Sequence, residues 1–274
     1  MVEAIIEMMQ YAFIRRAMIV GILVSICAAL LGVTLVLKRY SMIGDGLSHV
    51  GFGILTISVV MGWAPMIVAI PVVIIAAIVL LKIGNNKKIN TDSAIAMIAS
   101  SSLAIGVAAT SMSTGMNTDV YNYMFGSILA MTGSDVLLSI IVSIIVIGLY
   151  LIFYRKIFSI TFDEEFAKAN GLNVTWYTNL IAVLTAILIV VGMRLMGTML
   201  ISSIIIFPAI TSMRLFKSFK KVVISSGIIS VLAFIFGIYF SYVYNISAGA
   251  MIVIVNLVLF VIFTLIANVF CEEQ

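Results

Sequence analysis

This 274-residue sequence is poor in charge: Asp, Glu, Lys and Arg make up 9% of it, against 64% hydrophobic residues. Soluble domains carry about 25% charged residues, so a water-facing globular domain is excluded. A mean hydropathy of +1.29 points instead to a polytopic membrane protein. Cysteine is scarce as well. Cys27 lies within an apolar run and Cys271 near the end of the chain, which makes no disulfide framework. No G-x-x-x-x-G-K-[ST] segment occurs, so the chain has no P-loop with which to cradle ATP phosphates. The first residues, "MVEAIIEMMQYAFIRRA", carry Glu3 and Glu7 in place of a basic leader and are not expected to be a cleaved signal peptide. Residues 1–16 read as an amphipathic segment lying on the membrane surface. The net charge of +4 does not imply nucleic acid as a partner. The basic residues sit in short clusters between apolar runs, which is the pattern the positive-inside rule produces.

A helix needs about 20 apolar residues to cross the hydrocarbon. Breaks at charges, Gly and Pro leave such stretches near 17–37, 43–62, 64–82, 92–112, 134–153, 174–193, 195–213, 222–243 and 248–269. A tenth piece, "VYNYMFGSILAM" (120–131), is too short to span and reads as a re-entrant or interfacial helix. The expected fold is therefore an all-α polytopic membrane protein. It has about eight or nine transmembrane helices plus a short re-entrant helix, in one transmembrane domain over 1–274. Lys38 and Arg39, then Lys82, Lys87 and Lys88, then Arg155 and Lys156, then Arg214, Lys217, Lys220 and Lys221 fall on one side, which is taken as cytoplasmic. Arg15, Arg16 and Arg194 break the rule.

Acidic residues sit in expected loops, tails and span ends, with one exception. Asp45 lies in the first turns of the second span, in "MIGDGLSHVGFG" (42–53), and the only histidine, His49, follows four residues later. A carboxylate at a helix centre costs about 2.5–3.5 kcal/mol on insertion scales, and intramembrane ionisable groups are functional by default. Near a helix N-terminus the cost falls and the dipole favours the negative charge. Residues at i and i+4 share one face, and one carboxylate with one imidazole on that face suits a divalent transition ion. The same spacing equally fits an Asp–His hydrogen bond that packs two helices, and two ligands do not complete a tetrahedral site. Gly44, Gly46, Gly51 and Gly53 around the pair allow close helix approach.

A second stretch, "TFDEEFAKANGLNVTW" (161–176), has Asp163 as an N-cap, Glu164 and Glu165 in a first turn and Gly171 at C′. It predicts a two-turn helix over about 163–170 on the cytoplasmic side, with Phe166 exposed. That helix either docks on another protein or rests on headgroups. Pro208 in "IIIFPAITS" is either a hinge or the sign of a helix ending near the cytoplasmic surface; the second reading is preferred.

"KRYSMIGDGLSHVGFG" (38–53) resembles the signature segment of the ABC-3 family, the membrane subunits of bacterial ATP-driven metal importers. "DSAIAMIASSSLAIG" (92–106), "YNYMFGSILA" (121–130), "VGMRLMGTMLISSIIIFPAIT" (191–211) and "NISAGAMIVIVN" (245–256) are similar to further segments of that family. Asn245 stands where the family frequently has an aspartate. The resemblance implies a type II ABC importer permease in the bacterial cell membrane, working as a homodimer without a permanently bound cofactor. It implies Asp45 and His49 as ligands of a passing metal ion. It also implies 155–173 as a cytoplasmic coupling loop, with Asp163, Glu164, Glu165, Phe166 and Gly171 facing a separate ATP-binding cassette ATPase. An extracellular metal-binding solute-binding protein would deliver the ion. The wording "GDGLSHVGFG" and "FGSILA" looks closer to zinc members than to manganese members, so Zn2+ is the expected cargo, with Mn2+ or iron as the alternative. A proton-coupled secondary transporter using Asp45 and His49 as a relay is the rival from another class, and a structural subunit anchoring a partner complex is a weaker one.

Overall fold

Apolar composition forces the backbone to satisfy its own hydrogen bonds, and helices do so within each segment. The computed structural model describes residues 10–84, 90–112, 126 and 132–271. These residues form α1 (Ala12–Leu37), α2 (Ile43–Val60), α3 (Pro65–Gly84), α4 (Thr91–Ser111), α5 (Gly133–Ile152), α6 (Tyr154–Phe162), α7 (Glu164–Ala169), α8 (Val174–Met196), α9 (Thr198–Leu215), α10 (Phe219–Tyr244) and α11 (Ala248–Cys271). Among the described residues nine helices are long and apolar enough to cross a membrane, and there is no strand. These nine correspond to the nine apolar stretches of the sequence. The short apolar piece 120–131 lies outside the described residues except for Gly126, as do residues 1–9 of the N-terminal segment.

The first span begins earlier than its apolar core. α1 has 26 residues, about 39 Å at 1.5 Å per residue against about 30 Å of hydrocarbon. The surplus carries Arg15 and Arg16, both exposed, into its first turns, where long basic side chains reach the interface. Two sets of contacts identify one end of the bundle. Lys38, after α1, pairs with Glu164 of α7, and Phe219 of α10 packs on Phe158 and Phe162 of α6. Three of the four basic clusters therefore gather there. α6 itself was not expected; Ile157 and Ile160 give it a buried edge, between Arg155 and Lys156 on one side and exposed Phe158 and Phe162 on the other.

α1 sits at the centre, packed by α10, α9, α5 and α8, while α2 packs against α4, α3, α8 and α9. Val24, Cys27, Ala28, Ala29, Leu31 and Val33 on α1 are fully buried. The outer helices are apolar on the outside: Ile67 on α3 is 75% exposed and Met97 on α4 71%, a surface suited to lipid and not to water. With no water to drive them together, membrane helices associate through small residues. Gly32 of α1 faces the backbone oxygen of Ile205 on α9, and Gly53 of α2 faces that of Ser102 on α4. Some hydroxyls inside the bundle turn back on their own helices, as Thr56 does on Phe52 O and Thr185 on Ile181 O, and others reach across, as Ser230 does to Ser25 O.

α8 and α9 are joined through Gly197 alone, at φ +81°, a backbone that glycine adopts without a Cβ penalty. Gly126 lies against the backbone of Met196 at this break. α9 runs through Pro208, which is buried, and ends two turns later at Leu215, close to the end expected for this span. Packing on α1, α10 and α11 holds the helix together around the missing N–H.

Candidate functional site

α1 ends in a reversal that sets the start of α2. Tyr40 N–H donates to Leu35 O at 2.8 Å and Arg39 N–H to Val36 O at 3.0 Å. This is a Schellman closure with Arg39 left-handed at φ 61°, where glycine is the usual occupant. α2 then begins at Ile43 and carries Asp45 in its first turn. Ser48 Oγ donates to Asp45 O at 2.7 Å, fixing the backbone between the two candidate ligands.

His49 Nε2 lies 3.7 Å from Asp45 Oδ2. The two share a face, as the spacing requires, yet the distance exceeds the 2.7–3.2 Å of a hydrogen bond. The imidazole's other nitrogen, Nδ1, is buried without a hydrogen-bond partner. Side-chain exposures of 26% for His49 and 39% for Asp45 leave the pair approachable from outside the chain. Helical geometry of 3.6 residues per turn puts the pair on the flank of the stripe formed by Gly46 and Gly53, whose Cα positions face Ile95 and Ser102 of α4. Among the described residues no group of three or more His, Cys, Asp or Glu converges. The pair thus offers one carboxylate and one imidazole uncommitted to each other, and a tetrahedral ion would draw its remaining ligands from elsewhere.

The second candidate region is built as a capped unit. Asp163 Oδ1 accepts from Phe166 N–H at 2.9 Å. At the other end Gly171, at φ +78°, is the C′ residue, with Gly171 N–H on Lys168 O at 2.9 Å and Leu172 N–H on Ala167 O at 3.0 Å. The helix occupies Glu164–Ala169, within the expected 163–170. Ala167 is buried with Ile160, Val174 and Tyr177 in a small core of its own, which turns Phe166 outward at 62% exposure. Glu165 is exposed. Glu164 is not available in the same way: its Oε1 accepts from Lys38 Nζ at 2.6 Å, and Lys38, whose side chain is 5% exposed, also donates to Thr178 Oγ1 on α8.

Sequence reasoning missed Lys38. A basic residue after a span is by default an orientation signal, and nothing in the spacing joins it to a glutamate 126 positions later. Tyr40 belongs to the same cluster; burial, with the Glu164 charge adding to it, pushes its phenol above the usual tyrosine value of 10.0. A second missed pair lies at the opposite end of the bundle. Arg194 Nη1 bonds Asp135 Oδ1 at 2.9 Å, while Asp135 forms a capping box with Thr132 at the start of α5. Arg194 had already stood out as a cation on the wrong side, and the nearby carboxylate explains how it is tolerated there.

The Asp45–His49 pair and the capped α7 helix lie within a sequence of known kind. Residues 10–267 match the pattern of the ABC 3 transport family. The "Manganese transport system membrane protein MntC" of Listeria monocytogenes is 32% identical over 260 residues, covering 95% of this chain and 92% of the relative. The "High-affinity zinc uptake system membrane protein ZnuB" of Haemophilus influenzae is 30% identical over 246 residues, covering 90% and 94%. Among solved structures, "PsaBC from Streptococcus pneumoniae in complex with Fab" superposes with a TM-score of 0.85 at 31% identity, over 96% of this chain and 94% of that one. With nine apolar spans and a family match along nearly its whole length, the chain belongs to the ABC 3 transport family and is a multi-pass membrane permease of a bacterial ABC transporter.

Proposed function

We propose that this permease imports a divalent transition-metal ion, and that Asp45 and His49 hold the ion in transit. The observation that carries the reading is the state of His49: Nδ1 buried and unpartnered, Nε2 beyond hydrogen-bond reach of Asp45. A histidine serving as helix glue would have its nitrogens bonded. Two ligands per chain suit a site an ion must both enter and leave. A second copy of the chain, related by a two-fold axis, would bring the same pair to one central path. The resident machinery needs no bound cofactor; the metal is cargo.

ATP is hydrolysed on a separate cassette subunit, against which the exposed face of α7, with Glu165 and Phe166, docks. An extracellular binding protein supplies the ion. Movement of α7 reaches the site by a short route: Glu164 grips Lys38, and residues 38–42 connect directly to the first turn of α2. The ion is zinc in the reading that rests on the second-span wording. Manganese is the second reading, favoured by the 32% identity to the Listeria manganese permease. Cellular zinc and manganese, measured by mass spectrometry in a deletion strain carrying the wild-type gene, Asp45→Ala or His49→Ala, test both. Loss of accumulation of one metal in both variants is expected. Normal zinc and manganese in both variants would refute the transit site, and a manganese deficit with normal zinc would assign the second ion.

A further inference from the structure

A groove of about 680 Å³ opens on the outer surface between α1, α5 and α10, away from Asp45 and His49. Its floor is Ile26 and Leu30 of α1 with the ring of Tyr150, whose hydroxyl is engaged by Thr34 Oγ1 at 3.2 Å. Gly227 of α10 leaves its wall open, since a Cβ there would meet nothing within 4 Å. The lining is apolar from end to end except at one rim, where Tyr154 and exposed Lys220 stand, and no acidic residue lines it.

We infer that this groove holds one acyl chain of an anionic phospholipid of the cytoplasmic leaflet, with Lys220 on the phosphate. Three observations point to that occupant. Along α10 the groove runs from Lys220 to Leu232, about 18 Å at 1.5 Å per residue, close to the roughly 15 Å of hydrocarbon in one leaflet. Its charged end is the cytoplasmic end, because α10 starts beside α6, where the basic clusters gather. The sign is complementary: Lys220, with Lys217 and Lys221 on the same stretch and all three exposed, faces the leaflet that carries anionic headgroups. A second copy of this chain is the poorer occupant, because an isologous contact sets a surface against itself. Two concave grooves leave their volume unfilled and bring two Lys220 side chains together.

The test uses the full chain purified in mild detergent and incubated with equimolar phosphatidylglycerol and phosphatidylethanolamine, with bound lipid read by native mass spectrometry. Phosphatidylglycerol is expected to be retained in preference. Lys220→Gln should lower its retention about fivefold, as for one lysine near a charged surface, and Gly227→Leu should displace the lipid by filling the groove. Equal retention of the two lipids, or unchanged phosphatidylglycerol retention in Lys220→Gln, would overturn the proposal even if Gly227→Leu folds poorly. Disulfide-linked dimers of Ile228→Cys, made in a Cys271→Ser background, would also overturn it and give the groove to a second copy.

Discussion

Replacing Gly53 by alanine tests whether close backbone approach, and not general hydrophobicity, holds α2 against α4. A Cβ on Gly53 would lie 2.6 Å from the backbone oxygen of Ser102, while ordinary contact begins at 3.4 Å. The difference, 3.4 minus 2.6, is about 0.8 Å. Neither partner can rotate away, because the obstacle is backbone, and Gly106 on the facing turn already sits against Gly53 Cα. The helices must therefore part, and overpacking of this kind costs about 1–3 kcal/mol. Gly148, four residues before the end of α5, provides the control: a Cβ there meets nothing within 4 Å, so alanine gains only its helix propensity, up to about 1 kcal/mol. Thermal unfolding of the purified chain in detergent should place Gly53→Ala lower than wild type, by about 2–4 °C per kcal/mol, and Gly148→Ala level or higher. Because His49 lies one turn from Gly53, metal accumulation should fall in Gly53→Ala even where the protein still inserts. A Tm for Gly53→Ala equal to that of Gly148→Ala would refute the packing argument.

Four further outcomes are expected. Gly171→Val forces a β-branched residue into left-handed backbone, at about 1–2 kcal/mol, and should leave ATP hydrolysis in the purified complex running without metal uptake; Gly171→Asn, which tolerates that backbone, should keep the two coupled. Glu164→Gln leaves the largely buried Lys38 with Thr178 alone and should lower uptake per unit of ATP hydrolysed; unchanged stoichiometry would exclude Lys38 from the transmission route. Tyr40 should ionise above the usual 10.0 because its phenol is buried beside Glu164. A phenol whose folded value is raised supports folding below the unfolded value and loses that support as pH rises through the folded one, so the absorbance difference between wild type and Tyr40→Phe should appear only in that alkaline range and move downward in Glu164→Gln. Asp135→Asn removes the charge that caps α5 and holds Arg194, and should lower the Tm; adding Arg194→Ala should cost less than the two single losses combined, as double-mutant cycles show for directly bonded pairs.

The spans were legible because each is a local fact. Nine apolar runs became nine helices, with ends displaced by up to five residues where a cap or a basic pair extended the turn, as at Ala12. The α7 unit was legible for the same reason: Asp163 and Gly171 act on backbone within a few residues of themselves. What the sequence concealed depends on contacts across the bundle. α6 was hidden because nine residues with a polar edge look like loop beside spans of 20 or more. Proline breaks isolated helices, but the expected span runs through Pro208, and packed neighbours carry α9 past it to Leu215. The Lys38–Glu164 and Asp135–Arg194 pairs join residues far apart in sequence, which no spacing argument reaches.

Those two pairs also sharpen the case for Asp45 and His49. At either end of the bundle oppositely charged groups meet at 2.6 and 2.9 Å, each with one nearly buried partner: the Lys38 side chain is 5% exposed and that of Asp135 11%. In the first turns of a membrane span the carboxylate and the imidazole, 39% and 26% exposed, stand 3.7 Å apart, and the imidazole keeps an unbonded, buried nitrogen. Burial thus goes with the tight contacts, and the more open pair is the one whose partners stand apart. On the proposed reading a cation stands between the two groups, since drawing on both a carboxylate oxygen and an imidazole nitrogen requires that they not be spent on each other. On that reading the fold holds the pair close enough to share an ion and too far apart to replace it.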